Sequence, residues 1–249
     1  MKTPHILNHR RLLSLLAAFV ALAVCCIAHH ATAAEPAGTN APSCKTCEDA
    51  KKADAAKPAA ASEDGSRSLF DGKSLKDWKP TNFIGKGKVE VKDGCIFLGA
   101  GNDLTGISFV NTNSLPRTDY EIELEGKRVS GYDFFCGLTF PVGKACCTLV
   151  LGGWGGTVVG ISSIDGMDAS ENETTKSMEF VKNRWYAIRV RVTAEKIECW
   201  IDKEQMVDVT ITGKRIGMRF GEIEESAPLG IASYNTGTAL KNIRLRRLE

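Results

Sequence analysis

Residues 120–125 read Tyr-Glu-Ile-Glu-Leu-Glu and alternate strictly between apolar and acidic side chains. Residues 186–192 read Tyr-Ala-Ile-Arg-Val-Arg-Val and show the same period of two, with arginine in place of glutamate. Because successive side chains of a β-strand point to opposite faces of the sheet, each stretch collects its apolar residues on one face. The two stretches therefore predict antiparallel strands that bury one face and expose the charged one.

From residue 69 onward, similar short runs are separated by Gly, Asn, Asp and Pro, which are typical turn residues. The other strand candidates are Val89–Val91, Ile96–Leu98, Ile107–Val110, Phe134–Phe140, Cys147–Leu151, Val158–Ile161, Lys196–Ile201, Gln205–Ile211, Leu229–Ser233 and Ala239–Arg246. No segment keeps the helical period of about 3.6 residues over several turns. The pattern predicts an all-β fold, a two-sheet antiparallel jelly-roll sandwich.

The first 34 residues have the features of an export signal. Lys2, Arg10 and Arg11 precede an apolar stretch at 12–27, and small residues follow at 31–33. This stretch is shorter than the roughly 20 residues that a membrane-spanning helix needs. We therefore predict a signal peptide at 1–34 and a secreted or periplasmic protein with no integral membrane span after cleavage. A retained anchor and a lipoprotein stay open as alternatives.

Removal of this leader changes both the charge and the available chemistry. The leader holds three of the basic residues and no acidic one, so cleavage takes the formal net charge from +2 to −1. The mature chain then has no strongly basic character, which argues against a nucleic-acid partner. All four histidines also lie in the first 30 residues. The mature protein is therefore excluded from the classes that use a Ser-His-Asp triad, a Cys-His pair or a histidine-ligated metal.

Residues 35–66 differ from the rest of the chain in composition. Nine of these residues are Ala and three are Pro, with Lys, Asp, Glu and Ser among the remainder. Such a segment cannot bury enough apolar surface to offset its ordering entropy, so we predict a disordered linker. The Cys44–Cys47 pair inside it is interpreted as a local disulfide or two free thiols. The folded domain is then predicted to occupy residues 67–249.

Several segments of this domain match the motifs of one bacterial family. They are 68–78 (Ser-Leu-Phe-Asp-Gly-Lys-Ser-Leu-Lys-Asp-Trp), 89–94 (Val-Glu-Val-Lys-Asp-Gly), 119–125, 184–186, 200–202, 228–232 and 240–245. Together they resemble the 3-keto-disaccharide hydrolase domain family over about 69–249. The resemblance implies a concanavalin A-like sandwich and an activity on glycosidic bonds of oxidised disaccharides.

The chain departs from the family at three places where polar chemistry is expected. Phe135 and Pro141 occupy positions at which the family usually has asparagine and arginine. The strand at 147–151 lacks the family's glutamate, and residues 233–236 lack its histidine. The resemblance therefore leaves two interpretations: the catalytic groups have moved, or the domain binds without cleaving.

The candidate site lies in a glycine-rich segment and the acidic loop that follows it. Gly153 and Gly155 flank Trp154, which leaves the indole free to stack on the C–H face of a sugar. The residues predicted to bind substrate are Trp154, Gly153, Gly155, Glu173, Arg189 and Trp200. The structural alternatives are a packed indole for Trp154 and pairing with strand glutamates for Arg189.

The acidic loop supplies the candidate catalytic groups, Asp165, Asp168 and Glu171. Glycosidic cleavage commonly uses two carboxyl groups, and clustering raises the pKa of one of them. Solvated turn residues are the alternative interpretation. No cofactor is predicted, and Ca²⁺ held by these oxygens is an alternative that lacks EF-hand spacing. We expect the indole and the acidic loop to border one saccharide-sized trough.

The sequence therefore leads to two main functional hypotheses. The first is an exported glycoside hydrolase or lyase of the 3-keto-disaccharide type, in which the ketone acidifies the neighbouring C–H bond. The second is a non-catalytic carbohydrate-binding module, and a structural domain without a small ligand is a third. The expected partner is a carbohydrate, and the oligomeric state stays open.

Overall fold

The computed structural model describes residues 65–249, which form two antiparallel β-sheets and two short 3-10 helices. The predicted signal peptide at 1–34 lies outside the described residues, as does the predicted linker up to residue 64. Ser66 is already buried, and the first strand begins at Arg67. The described residues contain no helix that is long and apolar enough to cross a membrane.

The larger sheet has eight strands and contains both alternating stretches. In spatial order its strands are β13 (Glu204–Thr210), β12 (Lys196–Ile201), β11 (Tyr186–Val192), β6 (Tyr120–Ser130), β15 (Gly237–Arg247), β4 (Cys95–Leu98) and β3 (Val89–Lys92), and β1 (Arg67–Ser68) pairs with β15. The central pairs β11–β6 and β6–β15 are antiparallel, as the alternation predicts.

The smaller sheet has seven strands and carries the candidate site. Its strands in order are β10 (Lys176–Ser177), β9 (Val158–Ser162), β8 (Ala145–Gly153), β7 (Cys136–Val142), β14 (Gly230–Tyr234), β5 (Leu104–Phe109) and β2 (Trp78–Pro80). The 3-10 helices span Thr112–Ser114 and Glu222–Ser226. The second of them contacts β5 and β14.

One apolar core fills the space between the sheets. It combines Ile122, Ile188 and Val190 of the larger sheet with Leu149 and Leu151 of the smaller one, all almost fully buried. Because side chains alternate along a strand, the residues between these core positions face outward. The arginines of β11 therefore lie on the outer face of the larger sheet. Thr148 and Val150 of β8 lie on the outer face of the smaller sheet.

The predicted two-sheet antiparallel sandwich is confirmed, and every predicted strand corresponds to an observed one. The strands that the pattern misses are β1, β2 and β10, which have only two or three residues each. Cys136 and Cys199 face the core, as expected for thiols that act as small apolar residues. Burial raises the pKa of Cys136 to about 12, so this thiol is not a nucleophile at neutral pH.

Candidate functional site

A cavity of about 310 Å³ lies on the outer face of the smaller sheet. Its floor comes from β5, β8, β9 and β14, and its walls come from the loops before β7 and after β8 and from the segment 219–223. The lining residues are Leu104, Asp133, Phe134, Thr148, Val150, Trp154, Ser162, Arg219, Phe220, Glu222, Ile223 and Tyr234. Its volume is at the lower end of the range for small-molecule sites.

Aromatic side chains form much of the wall. Trp154 is 43% exposed although it borders the cavity, so its indole is available to a ligand. Phe134 and Tyr234 stack on each other with ring centroids 5.9 Å apart. Phe220 is 92% exposed at the rim. The cavity thus offers several flat apolar surfaces beside the polar groups of Thr148, Ser162 and Tyr234.

Two carboxylates line the cavity, and neither belongs to the acidic loop. Asp133 accepts hydrogen bonds from the Phe134 amide (2.7 Å) and from the Gly155 amide (3.0 Å), so it fixes the loops on which it lies. Glu222 lies at the start of the second 3-10 helix. Glu222 is therefore the lining carboxylate that is better placed for chemistry on a ligand.

The hydroxyl of Tyr234 adds a hydrogen-bond acceptor to the same site. The neighbouring Asp103 carboxylate accepts its hydrogen bond and, together with burial, raises the pKa of Tyr234. The phenol therefore stays protonated at neutral pH. Because its single proton is directed to Asp103, this hydroxyl can accept a hydrogen bond from a ligand, but it is not a general base.

The acidic loop is tied to a basic segment at 214–219. Asp165 Oδ1 accepts a hydrogen bond of 2.8 Å from the Arg215 amide, and Glu173 forms an ion pair with Lys214. Asp168 Oδ2 lies 2.6 Å from Arg219 Nη1. Three of the four loop carboxylates thus support the segment that continues into one wall of the cavity.

The buried Asn172 organises the acidic loop from within. Its side-chain amide donates to the carbonyl oxygens of Ile161 (2.7 Å), Met167 (3.0 Å) and Asp168 (2.8 Å). Its carbonyl oxygen accepts from both the amide and the hydroxyl of Thr174. The loop therefore has a defined conformation, in contrast to a simple solvated turn.

The structure brings the indole and the acidic loop close together through one residue. Arg219 pairs with Asp168, and its Cζ lies 5.7 Å from the centroid of the Trp154 ring. The expected common trough is corrected in one respect: the cavity is lined by Trp154 but by none of the loop carboxylates Asp165, Asp168, Glu171 and Glu173. The catalytic roles of Asp165, Asp168 and Glu171 stay predictions.

Arg189 and Trp200 lie elsewhere. Both belong to the outer face of the larger sheet, where the guanidinium Cζ of Arg189 is 3.8 Å from the centroid of the Trp200 ring. Arg189 also donates to the buried carboxylate of Glu121 (3.3 Å). The expectation that these two residues share a site with Trp154 is therefore corrected. The alternative, cross-strand pairing with a glutamate, describes the observed contact.

The predicted glycines flank the indole as expected. Gly153 ends β8, and Gly155 has a φ of +87° in the turn that follows. A side chain at Gly155 would be strained by this left-handed backbone. Within residues 65–249, no group of three or more His, Cys, Asp or Glu is arranged to hold a metal ion.

The comparison with protein families adds to this geometry. The model of the 3-keto-alpha-glucoside-1,2-lyase-like domain matches residues 65–246. The chain belongs to this family. The match agrees with the resemblance carried by the motifs and includes every element of the cavity. No curated protein matches the chain at a significant level.

Solved structures support the concanavalin A-like sandwich fold of this family member. The Crh5 transglycosylase in complex with NAG matches with a TM-score of 0.51 at 12% identity, over 74% of this chain and 85% of that chain. Its apo form matches with a TM-score of 0.50 at 12% identity, over 74% and 84%. The carbohydrate-binding module CBM66 from Bacillus subtilis matches with a TM-score of 0.48 at 11% identity, over 68% and 95%. The fold assignment rests on the two Crh5 structures alone, and at 12% identity their likeness concerns only the fold.

The departures from the family motifs have clear structural positions. Phe135, at the place of the expected asparagine, is fully buried and packs with its ring centroid 5.0 Å from that of Phe180.

The sequence did not indicate Asp133, Arg219 and Glu222 as residues of the site. One available signal was the basic stretch at 214–219, whose charges complement the acidic loop.

Proposed function

We propose that the domain binds a saccharide in the cavity bordered by Trp154. The observation that carries this proposal is a half-exposed indole at the wall of a cavity that also contains hydrogen-bonding side chains. The C–H faces of sugars stack on aromatic rings, while their hydroxyls need donors and acceptors close by. Ser162, Glu222 and Tyr234 supply such groups around the cavity.

The charges of the lining favour a neutral saccharide. Asp133 and Glu222 contribute two negative charges, and the positive charge of Arg219 is already paired with Asp168. A uronate or sulfated sugar would therefore meet repulsion that is not compensated inside the cavity.

The second candidate function is cleavage of a 3-keto-glycoside, and family membership favours it. The C3 ketone of such a sugar acidifies the C2–H bond. A base that removes this proton allows the glycosidic oxygen to leave C1 as a C1–C2 double bond forms, with an acid supplying a proton to the leaving group. Glu222 is the proposed base because it lines the cavity. Asp165, Asp168 and Glu171 stay candidates for the acid, and hydrolysis by two carboxyl groups is the related alternative.

Binding is tested by titrating the protein with methyl α-glucoside, its 3-keto derivative and a neutral disaccharide. Trp154→Ala is expected to weaken the affinity for whichever sugar binds by about tenfold or more, which corresponds to the loss of one stacking surface. Trp185→Ala is the matched control, since Trp185 contacts Lys127 and Lys241 of the larger sheet. Equal affinities of the wild type and Trp154→Ala would contradict the proposal.

Cleavage is tested by the release of the leaving group from the same 3-keto-glucoside. Loss of turnover in Glu222→Gln with retained binding supports Glu222 as the base. Loss in the double variant Asp165→Asn, Asp168→Asn supports the acidic loop. Binding without any turnover by the wild type would favour the carbohydrate-binding module.

Export is proposed on the leader sequence alone. A secreted or periplasmic location would place the domain where extracellular glycans are available. N-terminal sequencing of the mature protein from the host's periplasm or medium tests this, with a first residue close to Glu35 as the expected result.

A further inference from the structure

Arg128 is a buried cation for which no ion pair is found within residues 65–249. It lies on β6 of the larger sheet and is 7% exposed. Its guanidinium faces the rings of Phe135 (5.5 Å) and Phe180 (5.9 Å). Burial lowers the pKa of Arg128, because the charged form loses its hydration. Such a residue is costly in a core that an apolar side chain of similar length would fill.

The guanidinium reaches across to the smaller sheet and holds the turn that carries Trp154. Its Nη2 donates to the carbonyl oxygen of Gly156 at 3.1 Å and to that of Gly152 at 3.5 Å. These two carbonyls lie on either side of the indole in sequence. A Cβ at Gly152 would collide with Nη2, so the glycine at this position is needed for the close approach.

The turn itself is in an unfavourable conformation. Trp154 has a φ of +48°, in the left-handed region that side chains with a Cβ rarely adopt. The strained position is held from the other side as well, since Asp133 Oδ2 accepts a hydrogen bond from the Gly155 amide. Strain of this kind persists only where the surroundings over-determine it, and it is common at functional sites.

We infer that Arg128 is a positioning residue for the Trp154 platform. Its Nη2 group donates to carbonyl oxygens at both ends of the turn, and this holds the indole towards the cavity. The importance of this role for ligand binding rests on the proposed saccharide function, whereas the clamp on the turn does not. Nη2 is held in place by a planar guanidinium that faces the rings of Phe135 and Phe180, an orientation that a lysine ammonium on its flexible stem lacks.

The test uses the full chain with Arg128→Met, which keeps much of the side-chain length, and with Arg128→Lys, which keeps the charge. Arg244→Met is the matched control, because Arg244 is an exposed arginine on the outer face of the larger sheet. Hydrogen exchange is measured for the amides of 152–157 and for those of the central β6–β15 pair. Affinity for methyl α-glucoside and its 3-keto derivative is measured in parallel.

We expect exchange in 152–157 to rise about tenfold or more in Arg128→Met, less in Arg128→Lys and not in the control, with the β6–β15 amides unchanged. Saccharide affinity should fall by about tenfold, as for the loss of one stacking surface. Unchanged exchange in the turn, or an equal rise across both sheets, would overturn the inference. If Arg128→Met does not fold, the same comparison of exchange in 152–157 and in the β6–β15 pair is made with Arg128→Lys. Without saccharide binding by the wild type, the proposed function fails while the exchange data still test the clamp.

Discussion

The outer faces of the two sheets carry the same kinds of side chain but use them differently. On the larger sheet, the buried carboxylate of Glu121 is bonded by Arg191 (2.7 Å), Arg189 (3.3 Å) and Arg246. Arg189 also covers the ring of Trp200. On the smaller sheet, Trp154 borders a cavity and is 43% exposed. Arg219 Cζ lies 5.7 Å from the centroid of the Trp154 ring, against 3.8 Å for Arg189 and Trp200, so the indole of Trp154 is the less covered of the two.

The physical reason is the regularity of the larger sheet. Arg189 and Glu123 are directly opposite across the β11–β6 pair, and so are Arg191 and Glu121, so opposite charges meet along neighbouring strands. On such a face, each of these charged side chains has an opposite charge beside it. The cavity, by contrast, forms where loops rise above the smaller sheet, and their irregular backbone leaves side chains that point to a common space.

The largest expected effect comes from removing the carboxylate that three arginines share on the outer face of the larger sheet. Glu121→Ala leaves three guanidinium groups without their shared carboxylate, so we expect the free energy of unfolding to fall by about 2–3 kcal/mol. The loss is at the lower end for buried pairs because each arginine side chain is about one-third exposed. Urea denaturation measures it. Glu123→Ala, at an exposed position of the same strand, is the control and should change stability by less than about 0.5 kcal/mol.

If the comparison between the two faces is correct, Glu121→Ala lowers stability without changing saccharide affinity under conditions in which the protein is folded. A parallel loss of affinity would mean that the two faces are coupled and would contradict the separation drawn above.

The same cluster predicts how stability depends on pH. Burial alone would raise the pKa of Glu121, but the hydrogen bonds and charges of Arg246 and Arg191 outweigh it and lower this pKa below its ordinary value of 4.5. A carboxylate with a lowered folded-state pKa contributes stability above its unfolded pKa and loses it as the pH falls through the folded value. The free energy of unfolding should therefore decrease below about pH 4.5, and more steeply in the wild type than in Glu121→Gln. Equal slopes in denaturation curves between neutral and acidic pH would show that the three arginines do not stabilise the charged form.

The fold could be predicted from the sequence because its cause is local. Alternation along 120–125 and 186–192 reports directly which side chains face the core, and the observed strands contain both stretches. The extension of β6 beyond residue 125 could not be read in the same way, since Gly126 interrupts the apolar pattern. Strands of two or three residues are too short to show a period.

The site could be predicted only in part because it depends on contacts between segments that are distant in the sequence. The glycines beside Trp154 are visible in the sequence, but the partners of the indole come from distant segments. Backbone hydrogen bonds between Ser163 and Gly217 (2.7 and 3.1 Å) bring the basic segment alongside the acidic loop. This contact places Arg215 beside Asp165 and Arg219 beside Asp168, and it positions Arg219 at the cavity. The spacing of residues within the acidic loop carries no information about contacts with a segment 50 residues further along the chain.

The smallest expected effect concerns the rim of the cavity on the smaller sheet. Phe220 is 92% exposed, so Phe220→Ala removes almost no buried surface and should change the free energy of unfolding by less than about 0.5 kcal/mol. As a rim residue of the cavity, Phe220 should nevertheless contribute to the affinity for a disaccharide, by about two- to threefold for a partly solvated aromatic contact. Ile84→Ala, at an apolar side chain that is 80% exposed and does not line the cavity, serves as the control. Calorimetric titration of the three proteins with the disaccharide makes the measurement. If both variants bind like the wild type, the ligand does not extend to the rim, and the binding surface is confined to the walls around Trp154.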